Sequence, residues 1–239
     1  MTEFTKRLRA GGGKDTGAEA RPAATVAVLR DGETGIEALM VRRSTKLDFH
    51  GGSWVFPGGR IDADDWEGSD DPLAAARRAA TRETQEEAAL ELPGDSLVHF
   101  SNWTTPKISP KRFATWFFVA PAPVEHGHAQ ADGVESDALR WFTPEIAFAE
   151  RSTGAIEIAP PQYLSLLSFA RFDTVSDALT VLGAEDPVHY EPNFHFPDSG
   201  GAIAVYAGDV AYEDLDKLRE PGPRHRLIMS KAGWIYETV

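Results

Sequence analysis

The run Arg82-Glu83-Thr84-Gln85-Glu86-Glu87 places three carboxylates at i, i+3 and i+4, which share one face if the segment is helical. Like charges at that spacing repel, at a cost of about 0.2–0.5 kcal/mol per pair. A hard divalent cation would remove the cost: magnesium takes about six oxygen ligands at roughly 2.1 Å and keeps several waters among them. Taken alone, the run also fits a solvated acidic surface in which Arg82 pairs with Glu86 one turn on. The choice depends on what lies upstream. Pro57-Gly58-Gly59 follows the short apolar run Trp54-Val55-Phe56, and glycines there let the backbone approach a ligand and offer it a carbonyl.

These residues need a frame to hold them. Asp71 before Pro72 reads as an N-cap followed by proline at the first helical position, and the spacing predicts a helix from Pro72 to about Leu92, stopped by Pro93-Gly94. Ala75, Ala79, Thr84 and Ala88 are small enough to let this helix lie close to a sheet. Ala24–Leu29 and Ile36–Val41 read as a hairpin around Asp31-Gly32 and Gly35. Further strands are expected at Leu97–Trp103, Phe113–Ala120 and Leu139–Thr143, with a short helix at Pro144–Glu150. This order predicts an α/β sandwich with a mixed central sheet. Residues 1–22 read as a mobile arm, 23–158 as the main domain, and 159–239 as an α+β C-terminal extension. In that extension helices are expected at Gln162–Ala170 and Val175–Leu182, and strands at Ala202–Tyr206 and Arg226–Ser230.

Composition narrows the chemistry. The chain has 239 residues, 42% of them hydrophobic, and a net charge of −13, which disfavours nucleic acid and anionic membranes as main partners. It has no cysteine, so disulfides and thiol chemistry are excluded. No apolar run is long enough to span a bilayer. Lys6, Arg7 and Arg9 are followed by Gly11-Gly12-Gly13 rather than an apolar core, unlike a secretory signal. A cytoplasmic enzyme is the expectation.

With the loop and the acidic run together, the chain resembles the Nudix hydrolases over roughly residues 23–150. Their box reads G-x5-E-x7-R-E-U-x-E-E-x-G-U, where U is bulky and apolar. Gly59 matches the opening glycine, Phe56-Pro57-Gly58-Gly59 the usual lead-in, and Arg82-Glu83 with Glu86-Glu87 the second half. The match has departures. Gly59 to Arg82 spans 23 positions (82 − 59) where the box gives 14, so nine residues are extra. The first box glutamate falls on Asp65 counting forward and on Ala74 counting back. Arg82 must therefore find another acid, with Asp62 and Asp65 as the options. Thr84 stands for U and Ala89 for the box glycine. A left-handed cap at Ala89 would cost about 1 kcal/mol or more, so the helix is expected to run on.

The resemblance implies a Nudix α/β/α sandwich and hydrolysis of a diphosphate linked to another moiety, dependent on Mg2+ or Mn2+. It implies Glu83, Glu87 and the Gly59 carbonyl as metal ligands, Glu86 as a ligand or the base, and Arg82 as the residue that orients Glu83 and the loop. A late loop acid, Glu135 or Asp137, is expected to contribute. The partner implied is a small nucleotide-derived molecule. Homodimers are common in the family, so self-association is a further expectation to test.

For the substrate, Nudix enzymes acting on coenzyme A carry R-S-x3-R-x3-G-x3-F-P-G-G. Arg43, Ser44, Gly52 and Phe56 to Gly59 match it, while Asp48 replaces the internal arginine. Arg42 and Arg43 are thus candidates for phosphate binding, and so are Lys107 and Arg112 in a basic stretch between Trp103 and Trp116. That stretch is similar to one in the acyl-coenzyme A diphosphatase branch, which also carries insertions in its box. Trp103 and Phe117 read either as base-stacking aromatics or as core. Coenzyme A or acyl-coenzyme A is the first expectation, ADP-ribose or NADH the second. A non-catalytic nucleotide sensor is the alternative of another class, and it predicts lost carboxylates.

Overall fold

Strand β1 (Ala20–Asp31) is buried without a break from Ala23 to Leu29, a pattern produced by a sheet covered on both faces. The computed structural model describes residues 6, 8, 9, 14–45, 51–123 and 128–239, so Asp48 lies outside the described residues. The chain divides into two compact units. The larger comprises Pro22–Asn102 and Thr115–Val188, and the smaller Met1–Arg21, Trp103–Ala114 and His189–Val239.

In the larger unit β2 (Ile36–Arg43) forms the expected antiparallel hairpin with β1. β3 (Trp54–Val55), β4 (Gly58–Arg60), β5 (Val98–Thr104), β6 (Arg112–Pro121) and β7 (Ser136–Phe142) complete a mixed sheet. The order is β3-β2-β1-β6-β5, with β4 also on β1 and β7 also on β2. One face, including Val26, Val28, Leu39, Val41 and Phe118, packs on helix α1 (Pro72–Ala88) through Ala75, Ala76, Ala79 and Ala80. These four alanines bring the helix backbone close to the strands. Helices α2 (Pro144–Thr153), α3 (Pro160–Phe169) and α4 (Val175–Ala184) follow β7. Phe169 of α3 meets Phe56 and Phe100, so the unit is an α/β/α sandwich.

Asp71 caps α1 as its sequence predicts, accepting from the Leu73 N–H. The C-terminus differs from the expectation. The helix stops at Ala88 rather than running to Leu92, and Ala89 takes the left-handed conformation (φ 54°, ψ 31°). The physical reason lies beyond the helix: leaving it there buries Leu90 and Leu92 in the core, and each such burial is worth about 1.5–3 kcal/mol. That outweighs a backbone cost of roughly 1–2 kcal/mol at one alanine.

The smaller unit carries a second sheet, β9 (Asn193–His195), β10 (Ala202–Val205), β11 (His225–Ser230) and β12 (Gly233–Thr238), antiparallel in the order β12-β11-β10-β9. Before it comes β8 (Val188–Tyr190). Trp103 is buried and stacks on Tyr190, 4.0 Å between centroids, a core role. Within the stretch expected to be a mobile arm, the Thr16 hydroxyl donates to the carbonyls of Lys107 and Ser109, and its N–H also reaches Lys107. No helix among the described residues is long and apolar enough to cross a membrane.

Candidate active site

The site is built in the larger unit where the C-terminal half of α1 passes β4. Glu83 and Glu87 lie on the helix face turned toward the glycine loop. Glu87 is 3% exposed and accepts from the Gly58 N–H at 3.0 Å. A Cβ on Gly59 would sit 2.3–2.6 Å from the Glu83 carboxylate, so the absence of a side chain there is what makes room for Glu83. A Cβ on Gly58 would instead strike the backbone of Ala24 and Thr25 at 2.5–2.6 Å. The two neighbouring glycines thus serve different ends: Gly58 lets β4 pack on β1, and Gly59 admits the carboxylate.

Arg82 anchors the arrangement. Its guanidinium donates to Asp65 (2.9 and 3.3 Å), Glu83 (2.8 Å), Glu86 (3.2 Å) and the Arg60 carbonyl (3.1 Å). Of the two acids left open by the sequence, Asp65 is the partner: it is 4% exposed, whereas Asp62 is exposed and 3.9 Å away. Asp65 is presented by a 3-10 turn, Ala63–Trp66. Its side chain accepts from the Asp62 N–H, and its carbonyl accepts from Arg78. The forward count from Gly59 therefore finds the acid, and the nine extra residues fall after it, in the stretch from the turn through the first turns of α1 that leads to Arg82.

Burial and crowding set the charges. Burial pushes the Glu87 carboxyl up to about 7; Glu83 and Glu135 add to the rise, while the Gly58 N–H and the Arg43 charge oppose it. Glu83 is raised for the same first reason, with Arg82 opposing and Glu86 and Glu135 reinforcing. Glu86, at the rim, has a side chain 58% exposed.

The substrate candidates separate. Arg43 and Glu135 are close enough for their charges to act at Glu87. Arg42 turns instead to Asp137 at 2.6 Å. Adjacent strand residues point to opposite faces, and the register shifts here: Arg42 pairs with Ala138 and Arg43 with Ser136, leaving Asp137 extra. Lys107 and Arg112 belong to the smaller unit. There Arg112 donates to the Ala18 and Thr105 carbonyls and to Glu191 at 2.7 Å, while Lys107 is exposed. Phe117, in the larger unit, is buried.

Residues 20–161 match the NUDIX domain family. The chain belongs to the Nudix family. No curated protein matches it. The Nudix hydrolase from Alicyclobacillus acidocaldarius shares its fold at a TM-score of 0.62 and 24% identity, over 72% of this chain and all of that one. The Nudix domain of Shewanella oneidensis NrtR, solved with ADP ribose, aligns at a TM-score of 0.47 and 16% identity, over 72% of this chain and 97% of that one. As a Nudix hydrolase the chain acts on nucleoside diphosphate-linked compounds.

Nudix hydrolases generally use divalent metals. The donor set here suits a hard cation: Glu83, Glu86, Glu87 and Glu135 are all carboxylates, and three of them reinforce one another's repulsion at Glu83 or Glu87. Among the described residues no three acidic or histidine groups are arranged to hold an ion. One oxygen of Glu83 and one of Glu86 face Arg82, and one of Glu87 faces the Gly58 N–H. Arg82 is thus the positive group hydrogen-bonded to Glu83 and Glu86.

Proposed function

We propose that this Nudix hydrolase cleaves the diphosphate of coenzyme A or acyl-coenzyme A, using Mg2+ or Mn2+ held by Glu83, Glu87 and the Gly59 carbonyl with Glu86 as a further ligand or the base. The observation that carries the substrate choice is Arg43. It belongs to the coenzyme A-like pattern Arg43-Ser44, Gly52 and Phe56 to Gly59, and its charge acts at the buried Glu87, which this reading makes a metal ligand. When bound, the cation lowers the pKa of a coordinated water and neutralises phosphate charge. Water adds to one phosphorus, the bridging P–O bond breaks, and two phosphate monoesters leave. In this reading the chain's own residues divide the work: Arg82 holds Glu83, the Gly58 N–H holds Glu87, Arg43 meets phosphate charge, and Glu86 is a further ligand or takes a proton from water. Arg42, Lys107 and Arg112 are secondary substrate candidates. Arg42 and Arg112 would first have to leave Asp137 and Glu191.

The test is a substrate panel with purified protein and Mg2+ or Mn2+: coenzyme A, acyl-coenzyme A, ADP-ribose, NADH and diadenosine polyphosphates. Release of phosphoadenosine phosphate from a coenzyme A compound is expected. Preferred turnover of ADP-ribose or NADH reassigns the substrate, and no turnover at all favours a sensor. Glu86→Gln and Glu87→Gln should each lower the rate by about 10²–10⁴-fold with an unchanged circular dichroism spectrum.

A further inference from the structure

The loop before β7 is tied down more tightly than its exposure requires. Asp132 is exposed, yet its carboxylate accepts three successive backbone donors: Val134 N–H at 3.2 Å, Glu135 N–H at 3.1 Å and Ser136 N–H at 2.8 Å. Gly133, at φ 74°, closes the turn with its N–H on the Ser136 carbonyl. Two outside bonds fix where the turn sits. The Gln130 N–H donates to the carbonyl of Ala88, the residue after Glu87, and the Ser44 N–H donates to the Glu135 carbonyl at 2.7 Å. The segment is therefore pinned at one end to the tip of the carboxylate-bearing helix and at the other to the chain leaving Arg43. Glu135 lies between these anchors, and its charge reaches both Glu83 and Glu87.

We propose that Asp132 is a positioning residue: by gathering the N–H groups of residues 134–136 it fixes the backbone that carries Glu135 and so holds the Glu135 carboxylate beside Glu83 and Glu87. The Glu135 charge acts on Glu83 and Glu87 and opposes theirs. An untethered loop would relieve that repulsion by swinging outward, since an exposed loop has many conformations to gain. Asp132 supplies charge-assisted acceptors that oppose this. The inference rests on the reading of these carboxylates as a cation site.

Its test uses Mn2+ as the probe, with affinity read from the free-ion electron paramagnetic resonance signal. Asp132→Ala should weaken Mn2+ binding roughly tenfold, as loss of an orienting partner does, and speed amide exchange at 134–136 while the melting temperature stays put. Asp132→Asn keeps one side-chain oxygen for Val134 and Ser136 and should recover most of the affinity. In a Glu135→Gln background, Asp132→Ala should add less than twofold. An unchanged affinity in Asp132→Ala, or an equal loss with and without Glu135, overturns the proposal alone. Failure of the wild-type protein to bind Mn2+ overturns the cation site and the proposal with it.

Discussion

At the scale of single residues, Gly59 and Gly58 separate fold from chemistry. The nearest atoms to a methyl group at Gly59 are those of the movable Glu83 carboxylate. Gly59→Ala should therefore leave the melting temperature within about 2 °C, a shift of under 1 kcal/mol for a protein of this size, while turnover falls about 100-fold because Glu83 is displaced. Gly58→Ala meets fixed backbone and should destabilise the fold itself by about 1–3 kcal/mol. Thermal melts beside rate measurements tell the two apart. Glu87 shows the opposite tension. Its burial opposes ionisation, so Glu87→Gln, which keeps an oxygen for the Gly58 N–H, should stabilise the metal-free protein at pH 8 by on the order of 2 kcal/mol while lowering turnover about 10²–10⁴-fold. A drop in melting temperature for this variant would contradict the electrostatic account.

At the scale of elements, α1 shows local preference yielding to packing. Its start follows from Asp71 and Pro72 alone, because an N-cap acts through neighbouring residues. Its end does not. Alanine disfavours the left-handed region, yet Ala89 occupies it so that Leu90 and Leu92 can enter the core. Replacing Ala89 by glycine removes the conflict, and Ala89→Gly should stabilise the protein by about 0.5–1 kcal/mol, read as a rise of roughly 2 °C. No rise would mean that the helix end relaxes in solution. The extra nine residues matter at this scale too. They follow Asp65 and leave its pairing with Arg82 intact, so the box is lengthened without loss of its anchor.

At the scale of the whole molecule, the two units rest on different interactions. The larger is held by a sheet covered on both faces. The smaller buries an ion pair: Arg226 donates to both oxygens of Asp209 at 2.5 and 2.7 Å, and the His225 and Ala211 N–H groups complete the carboxylate's shell. Burial alone would raise the Asp209 carboxyl, but Arg226 and these N–H groups outweigh it and hold the pKa at about 2. A depressed carboxylate pKa stabilises the fold above the unfolded value near 3.8 and ceases to do so as pH falls to the folded value. About 2 kcal/mol should therefore be lost between pH 4 and pH 2. Asp209→Asn should flatten that window in urea melts followed at the β9–β12 sheet, and lower stability at neutral pH by roughly 3 kcal/mol because Arg226 loses its counter-charge. The pair was not legible in the sequence, since Asp209 and Arg226 are 17 positions apart with nothing between them that marks a partnership.

The sequence by itself determined the carboxylate-bearing helix, its N-terminus, the glycine loop and the hairpin, because each depends on spacing or on groups a few residues apart. It also narrowed the partner of Arg82 to two acids. Only the tertiary structure could choose Asp65, which the turn at Ala63–Trp66 buries while Asp62 stays in water. Only it could separate Arg43 from Arg42, since Arg42 pairs with Asp137 of β7 while the charge of Arg43 acts at Glu87. The carboxylates repel along one helix in any reading of the sequence. How strongly their protons are held depends on burial and on charges brought from Arg43 and Glu135, and distance in space, not in sequence, fixes that.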